Sequence, residues 1–497
     1  MITQLCDILA TQAVKYGTSK ARVCLPRILM LLSFKDSTDH EQGRKVSDVI
    51  SRFLDSTHLW MWLVWIPQLL MSLYRMEGGV TKEILARIVR FYPQALYYHL
   101  RTFFLENRPS QTRADLSTST RSPQVEAAFR VAKDLMDSLK KKHHNFVSEL
   151  EPTLTDITIR LVPKPEERLM SVVYSLLNRC YKFMAKSEAD VPDSVKKELD
   201  NTCRACFGKE TIAKHSSFAE AYREKFERDL NPESEEFAET LGELIARLKQ
   251  WVSRLQNSIE QTLPSVLRLE DECKNMGSGR RYFESEIPGQ YLADQELSPD
   301  SVIKLEGFSM DAPIVRRHAA SHRRLTMLGS DGKMRDFLIQ TTLVPGVLSE
   351  ERTLQLMRAF NQQLLRRKDT RSRDLMYHCP NIIHVHPQVR MIDDDASCIT
   401  LGEIFEIFCE RNGREADAPI ITFKDRIYGA RDHDDFAKVK REAFQEIEKN
   451  LVGDSILLQH MYKIFPTSHH LWTFKKKFCL QLALSGLMGM GVVVYIY

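Results

Sequence analysis

Residues 324–340 read RLTMLGSDGKMRDFLIQ, and this stretch decides the fold class. Two runs of mainly apolar residues flank Gly329-Ser330-Asp331-Gly332, a sequence typical of a tight turn between antiparallel strands. Two further short strands are predicted at 382–385 and 389–392. Since the residues on either side of this β region show helical spacing, we predict a mainly α protein that contains one small β lobe.

The composition narrows the class of protein but identifies no partner. The chain has 497 residues, enough for about three domains of ~150 residues each. Its 70 Lys and Arg residues nearly balance its 66 Asp and Glu residues, and a net charge of +4 does not indicate a nucleic-acid-binding protein. Ten cysteines are too sparse for a disulfide framework and the first residues lack a signal-peptide pattern, so we expect an intracellular protein.

Residues 1–108 predict consecutive helices. Apolar residues recur four apart through 84–89, and Pro93 ends this helix and starts another. The stretch 59–70, LWMWLVWIPQLL, is apolar but too short for a membrane span of ~20 residues. We interpret it as a buried helix and expect no membrane association. Residues 109–124, rich in Ser, Thr and Arg, are typical of a solvated linker.

A second helical region is predicted at 125–263. Its clearest helix opens at Asn231-Pro232, because Asn is a favoured N-cap and Pro suits the first helical position. An apolar stripe then recurs at spacings of three and four, at Phe237, Leu241, Leu244, Leu248, Val252, Leu255 and Ile259. We interpret this region as a packed helical hairpin, with a coiled-coil dimer as the alternative.

The order of elements and a series of motifs resemble one protein family. A small β lobe followed by helices at 401–409, 435–450 and 472–484 is the order of a kinase. The motifs, in chain order, are WIPQLL at 65–70, YPQA at 92–95 with Arg101, EIPGQY at 286–291, the turn at 329–332, Arg352 with LQL at 354–356, WTF at 472–474 and QLA at 481–483. In these motifs the chain resembles the phosphatidylinositol 3-kinase-related kinases over about residues 20–484, with gaps.

This resemblance implies a fold and a domain order. The expected fold is mainly α, with a FAT-like helical repeat array, a helical insert and a truncated α+β kinase-like domain. The implied units are the C-terminal part of the FAT-like repeats at 1–108, the linker at 109–124, a helical hairpin like the FRB region at 125–263, a kinase-like N-lobe at 264–400, the start of a kinase-like C-lobe at 401–484 and an atypical apolar tail at 485–497. The catalytic and metal-binding loops should follow the helix that contains Trp472, so we expect a fragment or a partial gene model of a longer protein.

The residues at the expected kinase positions are degenerate. Phosphoryl transfer needs a cation on the nucleotide phosphates, ligands for Mg²⁺ and a base. The strand lysine of active relatives corresponds to Gln340, at the end of FLIQ, and a neutral amide cannot supply that charge. In the following stretch, 346–352, only Glu350 and Arg352 keep the family's charged pattern. We therefore predict no catalytic residues, no bound cofactor and no metal.

Within the family the chain resembles most the pseudokinase member that acts as a scaffold of histone acetyltransferase complexes of the SAGA and NuA4 types. The resemblance implies a nuclear protein whose partners are histone acetyltransferase subunits and transcription activators, without sequence-specific nucleic-acid binding. The alternative is a fragment of an active phosphatidylinositol 3-kinase-related protein kinase.

Three other clusters resemble functional sites less well. The segment 430–437, ARDHDDFA, mixes two kinase motifs but precedes the Trp472 helix, so we interpret it as a loop and a helix N-cap. Cys203 and Cys206 with His215 lack a fourth zinc ligand. The alternating residues 384 and 386 are both His on one predicted strand, without a third ligand nearby.

Short basic runs and the C-terminal tail are further candidates for contact with other molecules. The runs at 366–368, 140–144 and 475–477 could contact DNA or acidic activator peptides, although solvated helix faces are favoured. The stretch 480–497 carries no charge and follows a basic run, as membrane anchors do. Because it is short and contains Gln481 and three glycines, we predict instead an altered end that is prone to β-type aggregation.

Overall fold

The protein is described by a computed structural model. It describes residues 24–33, 58–74, 78–108, 122–184, 190–277, 279–292, 296–317, 320–341, 347–428, 436–453 and 455–487, together with the separate residues 11, 48, 49, 51, 52 and 54. Most of the predicted linker at 109–124 and the end of the tail, 488–497, lie outside these residues.

The N-terminal part is helical. Its helices are α1 (Cys24–Ser33), α2 (Ile66–Ser72), α3 (Gly78–Phe91), α4 (Pro93–Asn107), α5 (Pro123–Lys142) and α6 (His144–Arg160), and a 3₁₀ turn spans Leu59–Trp65. Pro93 lies at the start of α4, where the lack of an N–H costs no helical hydrogen bond. The apolar stretch 59–70 is largely buried, with Met61 and Leu69 fully so, as expected for a core segment.

The helical insert packs around its own core. It contains α7 (Pro165–Met184), α8 (Asp193–Phe207), α9 (Lys209–Lys214), α10 (Ser216–Leu230) and α11 (Leu241–Thr262). The stripe residues of α11 pack with apolar residues of α7 and α10 in one core, together with Trp251, which the sequence pattern did not single out. Because α7 and α10 cover this face within the chain, the packed-hairpin interpretation describes it and the coiled-coil dimer does not.

The predicted start of α11 is wrong. The helix begins at Leu241, where the Thr240 side chain accepts a hydrogen bond from the backbone N–H of Glu243. The Asn231 side chain instead accepts from the backbone N–H of Glu233 at 3.1 Å and closes a local turn. Asn is favoured in both settings, so its presence alone could not decide between a turn and a helix N-cap.

The β lobe is an antiparallel sheet of seven strands among the described residues. After the short helix α12 (Leu269–Glu272), which follows β1 (Val266–Arg268), come β2 (Leu305–Phe308), β3 (Asp311–Arg317), β4 (Ala320–Gly329), β5 (Met334–Thr341), β6 (Ile382–His386) and β7 (Val389–Asp393). The spatial order is β1-β3-β4-β5-β7-β6, and β2 also pairs with β4. The predicted turn at 329–332 joins β4 to β5, and Gly332 has a φ of 72° that suits glycine.

Helices follow and flank the sheet. Between β5 and β6 lie α13 (Val347–Arg366) and α14 (Lys368–Arg371), and after β7 come α15 (Leu401–Arg411), α16 (Ala418–Tyr428), α17 (Phe436–Ile447), α18 (Ile456–Ile464) and α19 (Ser468–Leu487). The Thr400 hydroxyl and the Glu403 carboxylate form a capping box at the start of α15. The mainly α fold with one small antiparallel sheet is confirmed.

One apolar core joins the N-terminal helices to the β lobe. It includes Leu96 and Leu100 of α4, Leu150 and Leu154 of α6, and inward-facing residues of β4 to β7. The helical array and the sheet therefore share a single packed interior, which sets the positions of the site residues below.

Candidate functional site

Gln340 lies near the end of β5, and its side chain is hydrogen-bonded to a neighbouring strand. In the register of β5 and β7, Gln340 faces Arg390. The Arg390 guanidinium donates two hydrogen bonds to the Gln340 side-chain oxygen, at 3.2 and 3.1 Å. Position 340 thus contributes an acceptor, and the cation beside it comes from β7.

The second and third predicted positions, Glu350 and Arg352, lie on α13. Glu350 lies in the first turn of α13, and its side chain is outside the described part of the chain. Arg352 is exposed. The neighbouring Glu351 points instead towards His99 of α4, with its carboxylate 3.8 Å from the imidazole Nε2.

A cavity of about 60 Å³ lies where α4, α13 and the segment 286–292 meet β6. His99, Glu286, Glu351 and His384 supply polar groups to its wall. Burial, followed by the charges of His99 and Arg390, lowers the pKa of His384 to about 3. The His384 ring is therefore neutral at ordinary pH. A cavity of this size can hold a few water molecules, which the polar groups of its wall can bind.

Side chains of α4 bind the backbone of β6 directly. The Thr102 hydroxyl donates to the His384 carbonyl oxygen at 2.9 Å, and the Arg101 guanidinium donates to the Val385 carbonyl oxygen. Arg101 also forms an ion pair with Glu151 of α6, with 3.2 Å between its Nε and the carboxylate. Two helices of the array therefore fix the edge strand of the sheet.

The segment that contains EIPGQY is held by two polar side chains of the helices. The Gln94 amide donates to the Glu284 carbonyl oxygen at 2.7 Å and accepts from the Glu286 backbone N–H at 2.8 Å. The Glu149 carboxylate accepts from the backbone N–H groups of residues 283, 284 and 285, at 3.0, 3.2 and 3.1 Å. It also accepts from the Ser285 hydroxyl at 2.9 Å. These contacts satisfy backbone groups that have no partner within a strand or helix.

A buried ion pair connects the helical insert to the sheet. Arg323 of β4 donates from its two terminal nitrogens to both carboxylate oxygens of Glu167 at the start of α7, at 2.9 and 2.6 Å. Both side chains are only 1% exposed. Burial raises the pKa of Glu167, but the hydrogen bonds and the charge of Arg323 outweigh it and leave that pKa below its ordinary value.

Comparison of the sequence with known proteins identifies relatives of this chain. The human transformation/transcription domain-associated protein is 28% identical over 500 residues, which is 94% of this chain and 13% of that protein. The SAGA complex/NuA4 acetyltransferase complex subunit of Saccharomyces cerevisiae is 28% identical over 482 residues, covering 94% of this chain and 12% of its own length. The chain is a homologue of the transformation/transcription domain-associated proteins.

A more distant similarity extends to an active kinase. The chicken DNA-dependent protein kinase catalytic subunit is 21% identical over 336 residues, which is 66% of this chain and 7% of that protein. The expected resemblance to the phosphatidylinositol 3-kinase-related kinases is confirmed. No protein-family model matches the chain.

The other candidate clusters have the following environments. Cys203 and Cys206 lie on α8, where burial raises the pKa of both thiols, that of Cys206 to about 11. The register of β6 shifts between His384 and His386, which interrupts the expected alternation. Within the described residues no group of three or more His, Cys, Asp and Glu side chains is arranged to hold a metal ion, and no helix is long and apolar enough to cross a membrane. Residues 430–435 lie outside the described part.

Proposed function

We propose that this chain is the FAT-like and pseudokinase part of a non-catalytic scaffold in histone acetyltransferase coactivator complexes of the SAGA and NuA4 types. The observation that carries the proposal is that the Gln340 side-chain oxygen accepts hydrogen bonds from Arg390, at the position to which the family resemblance assigns the strand lysine of an active kinase. Loss of that lysine removes a charge that stabilises the nucleotide phosphates by several kcal/mol in a site of low dielectric.

The degenerate positions define the pseudokinase assignment residue by residue. In the proposal Gln340 takes the place of the strand lysine, Glu350 corresponds to its acidic partner, and Arg352 corresponds to the last arginine of the family pattern. The proposal divides the chain as the motifs do, into FAT-like repeats at 1–108, an FRB-like insert at 125–263 and kinase-like lobes at 264–400 and 401–484.

The partners in the proposal rest on the relatives. One relative is named as a subunit of the SAGA and NuA4 acetyltransferase complexes, and others are named as transcription-associated proteins. The chain spans 12 to 13% of the length of the human and yeast relatives, so it corresponds to one segment of such a subunit. The proposal therefore places the protein in the nucleus, with acetyltransferase-complex subunits and transcription activators as partners.

A second candidate function is a fragment of an active protein kinase, which the similarity to the DNA-dependent protein kinase catalytic subunit favours. The two candidates differ in one measurable property, the Mg²⁺-dependent transfer of the ATP γ-phosphoryl group. The chain, its Gln340→Lys variant and an active protein kinase are incubated with labelled ATP, Mg²⁺ and a mixture of protein substrates.

We expect no labelling by the chain or by the variant, because one restored cation does not supply the Mg²⁺ ligands or the base. Labelling by the unmodified chain would refute the pseudokinase assignment and support the kinase fragment. Purification of the tagged chain from nuclear extract tests the scaffold separately, and recovery of only cytoplasmic or membrane proteins would refute it.

A further inference from the structure

Two basic segments that are about a hundred residues apart in the sequence, 366–374 and 475–477, are joined by an ion pair on the surface. The Lys477 ammonium in α19 is 2.9 Å from the Asp374 carboxylate in the turn after α14. The Gln481 amide donates to the Met376 carbonyl oxygen at 2.8 Å, and the Tyr377 hydroxyl donates to the Leu484 carbonyl oxygen at 3.2 Å. These three contacts dock α19 beside residues 374–377, which directly follow the basic stretch 366–373.

The docked segments form a dense cationic surface, which we call the α14–α19 basic surface. Residues 366–374 and 475–477 together carry eight Lys and Arg side chains and two Asp side chains, a net charge of +6. The whole chain has a net charge of only +4, so the remainder is slightly negative. All of these cations are exposed except Lys475, which is half-buried.

Few of these cations are neutralised by the protein itself. Among the residues that the structure describes, Lys477 is the one member of the surface in an ion pair, with Asp374. The Arg373 guanidinium donates to the Asp369 backbone carbonyl at 2.6 Å, which leaves its charge uncompensated. Clustered like charges that repel one another are stabilised when a polyanion displaces their counterions.

The charge pattern distinguishes between two polyanions. Arg and Lys side chains on two separate elements suit a ligand with regularly repeated anionic groups, and four of the five cations at 366–373 are Arg, which binds phosphate oxygens with two N–H groups. All residues from 366 to 373 are exposed except Thr370, which is half-buried, so the five cations lie close together along the chain. An acidic activator peptide, the other polyanion, carries carboxylates that do not repeat at a fixed spacing as the phosphates of a duplex do.

We propose that the α14–α19 basic surface binds the phosphate backbone of duplex DNA without reading its sequence. This activity goes beyond the proposed scaffold role and does not depend on it. The surface would hold chromatin DNA close to a complex through Arg–phosphate and Lys–phosphate contacts alone.

The test compares three variants of the full chain that lose exposed cations. The surface variant carries Arg366→Gln, Arg367→Gln and Lys368→Gln, and a second surface variant carries Lys475→Gln and Lys476→Gln. The matched control carries Lys140→Gln, Lys141→Gln and Lys142→Gln, which removes three consecutive exposed cations at the end of α5. Fluorescence anisotropy with a 30-base-pair duplex of random sequence is measured between 50 and 200 mM salt.

For the unmodified chain and the control we expect a steep salt dependence, with affinity falling about a thousandfold across this range if six phosphates are contacted. Each lost phosphate contact should lower the slope of log K against log salt by about 0.9, so the two surface variants should each have shallower slopes and weaker binding. Equal binding by surface variants and control would overturn the proposal. A labelled acidic peptide is measured in the same way. If the surface variants lost binding to this peptide but kept binding to DNA, the surface would be assigned to a peptide partner and the DNA proposal would be overturned.

A second measurement does not depend on the folding of any variant. Lysine acetylation of the unmodified chain, with and without the duplex, is read by mass spectrometry. We expect DNA to protect Lys368 and Lys476 at least severalfold and to leave Lys141 unchanged. Uniform protection of all three lysines, or protection of none, would contradict a localised DNA surface.

Discussion

The Arg323–Glu167 ion pair predicts a large and specific loss of stability. Replacing Glu167 with Ala leaves the Arg323 guanidinium buried without its counterion, since both side chains are 1% exposed and joined by two hydrogen bonds of 2.9 and 2.6 Å. Breaking such a buried pair costs about 3–5 kcal/mol, most of it from the uncompensated charge. Arg323→Met should cost a similar amount, because it strands the Glu167 carboxylate.

The double variant distinguishes charge pairing from general packing. Arg323→Met combined with Glu167→Leu removes both charges and fills the space with apolar atoms, so it should be at least ~2 kcal/mol more stable than the sum of the single losses predicts. The matched control is Glu126→Ala, which removes an exposed pair with Arg130 and should cost no more than ~0.5 kcal/mol.

Urea unfolding and hydrogen exchange provide the measurement. Trp251 of α11 lies in the core that α11 shares with α7, and it is one of the five tryptophans whose combined fluorescence follows unfolding. A loss of ~4 kcal/mol should shift the urea midpoint by about 1 M or more at typical slopes. Exchange should also quicken in peptides from 165–184 and 320–329 in the single variants. Single variants that each cost less than ~1 kcal/mol, and that add in the double variant, would refute the reasoning.

The same pair has a pH signature with a defined sign. Because Arg323 holds the pKa of Glu167 below its ordinary value of 4.5, the folded state keeps this carboxylate ionised when the unfolded state has begun to protonate. The contribution of the pair is therefore complete above pH 4.5 and is lost as the pH falls through the lower, folded-state value. The Arg323→Met, Glu167→Leu double variant should show a weaker loss of stability over that acidic window.

Three further predictions address other parts of the molecule. Burial lowers the pKa of His384 to about 3, so stability should fall as pH falls from 6.5 towards 3, and His384→Gln should reduce that dependence in thermal melts at stepped pH. Gln94→Ala should lose about 1–3 kcal/mol, because it leaves the Glu284 carbonyl and the Glu286 N–H without their partner, and faster exchange at 282–291 would show it. Deleting 485–497 should raise the soluble yield of the full chain, and a tail that carries a soluble reporter into membranes would contradict the aggregation interpretation.

The sequence predicted the β region well because its signals are local. The turn at 329–332 and the two short strands at 382–385 and 389–392 were predicted from residue types within four or five consecutive positions. The strand before the turn is longer than the predicted run and begins at Ala320. The sequence could not show this, because Arg323 is accepted in a buried strand position only through Glu167, which lies far away in the chain.

The site positions were harder to predict, because side-chain partners depend on register and on helix rotation. Gln340 was expected from its motif, but its partner Arg390 follows from the pairing of β5 with β7. On α13, Glu351 reaches towards His99 of α4, a contact that the sequence pattern did not indicate. One residue turns a helix by about 100°, so a motif that fixes a position to within one residue does not fix the direction of its side chain.

The motifs that carry the family resemblance are joined to one another in the structure, and this explains what they do here. Gln68 of WIPQLL donates to Gln355 of the motif in α13 at 2.6 Å, and Gln94 of YPQA holds the backbone at EIPGQY. Gly289 has a φ of 91°, and a Cβ at that position would lie 3.0 Å from Asn381, so the close approach requires glycine.

These motif residues make contacts between the helical array and the β lobe, whereas position 340 carries a neutral amide. A kinase-like domain that does not transfer phosphoryl groups stays folded without the strand lysine. It still needs the contacts that dock its β lobe onto the helical array. Docking contacts together with a neutral residue at position 340 are therefore the pattern that the proposed structural role predicts.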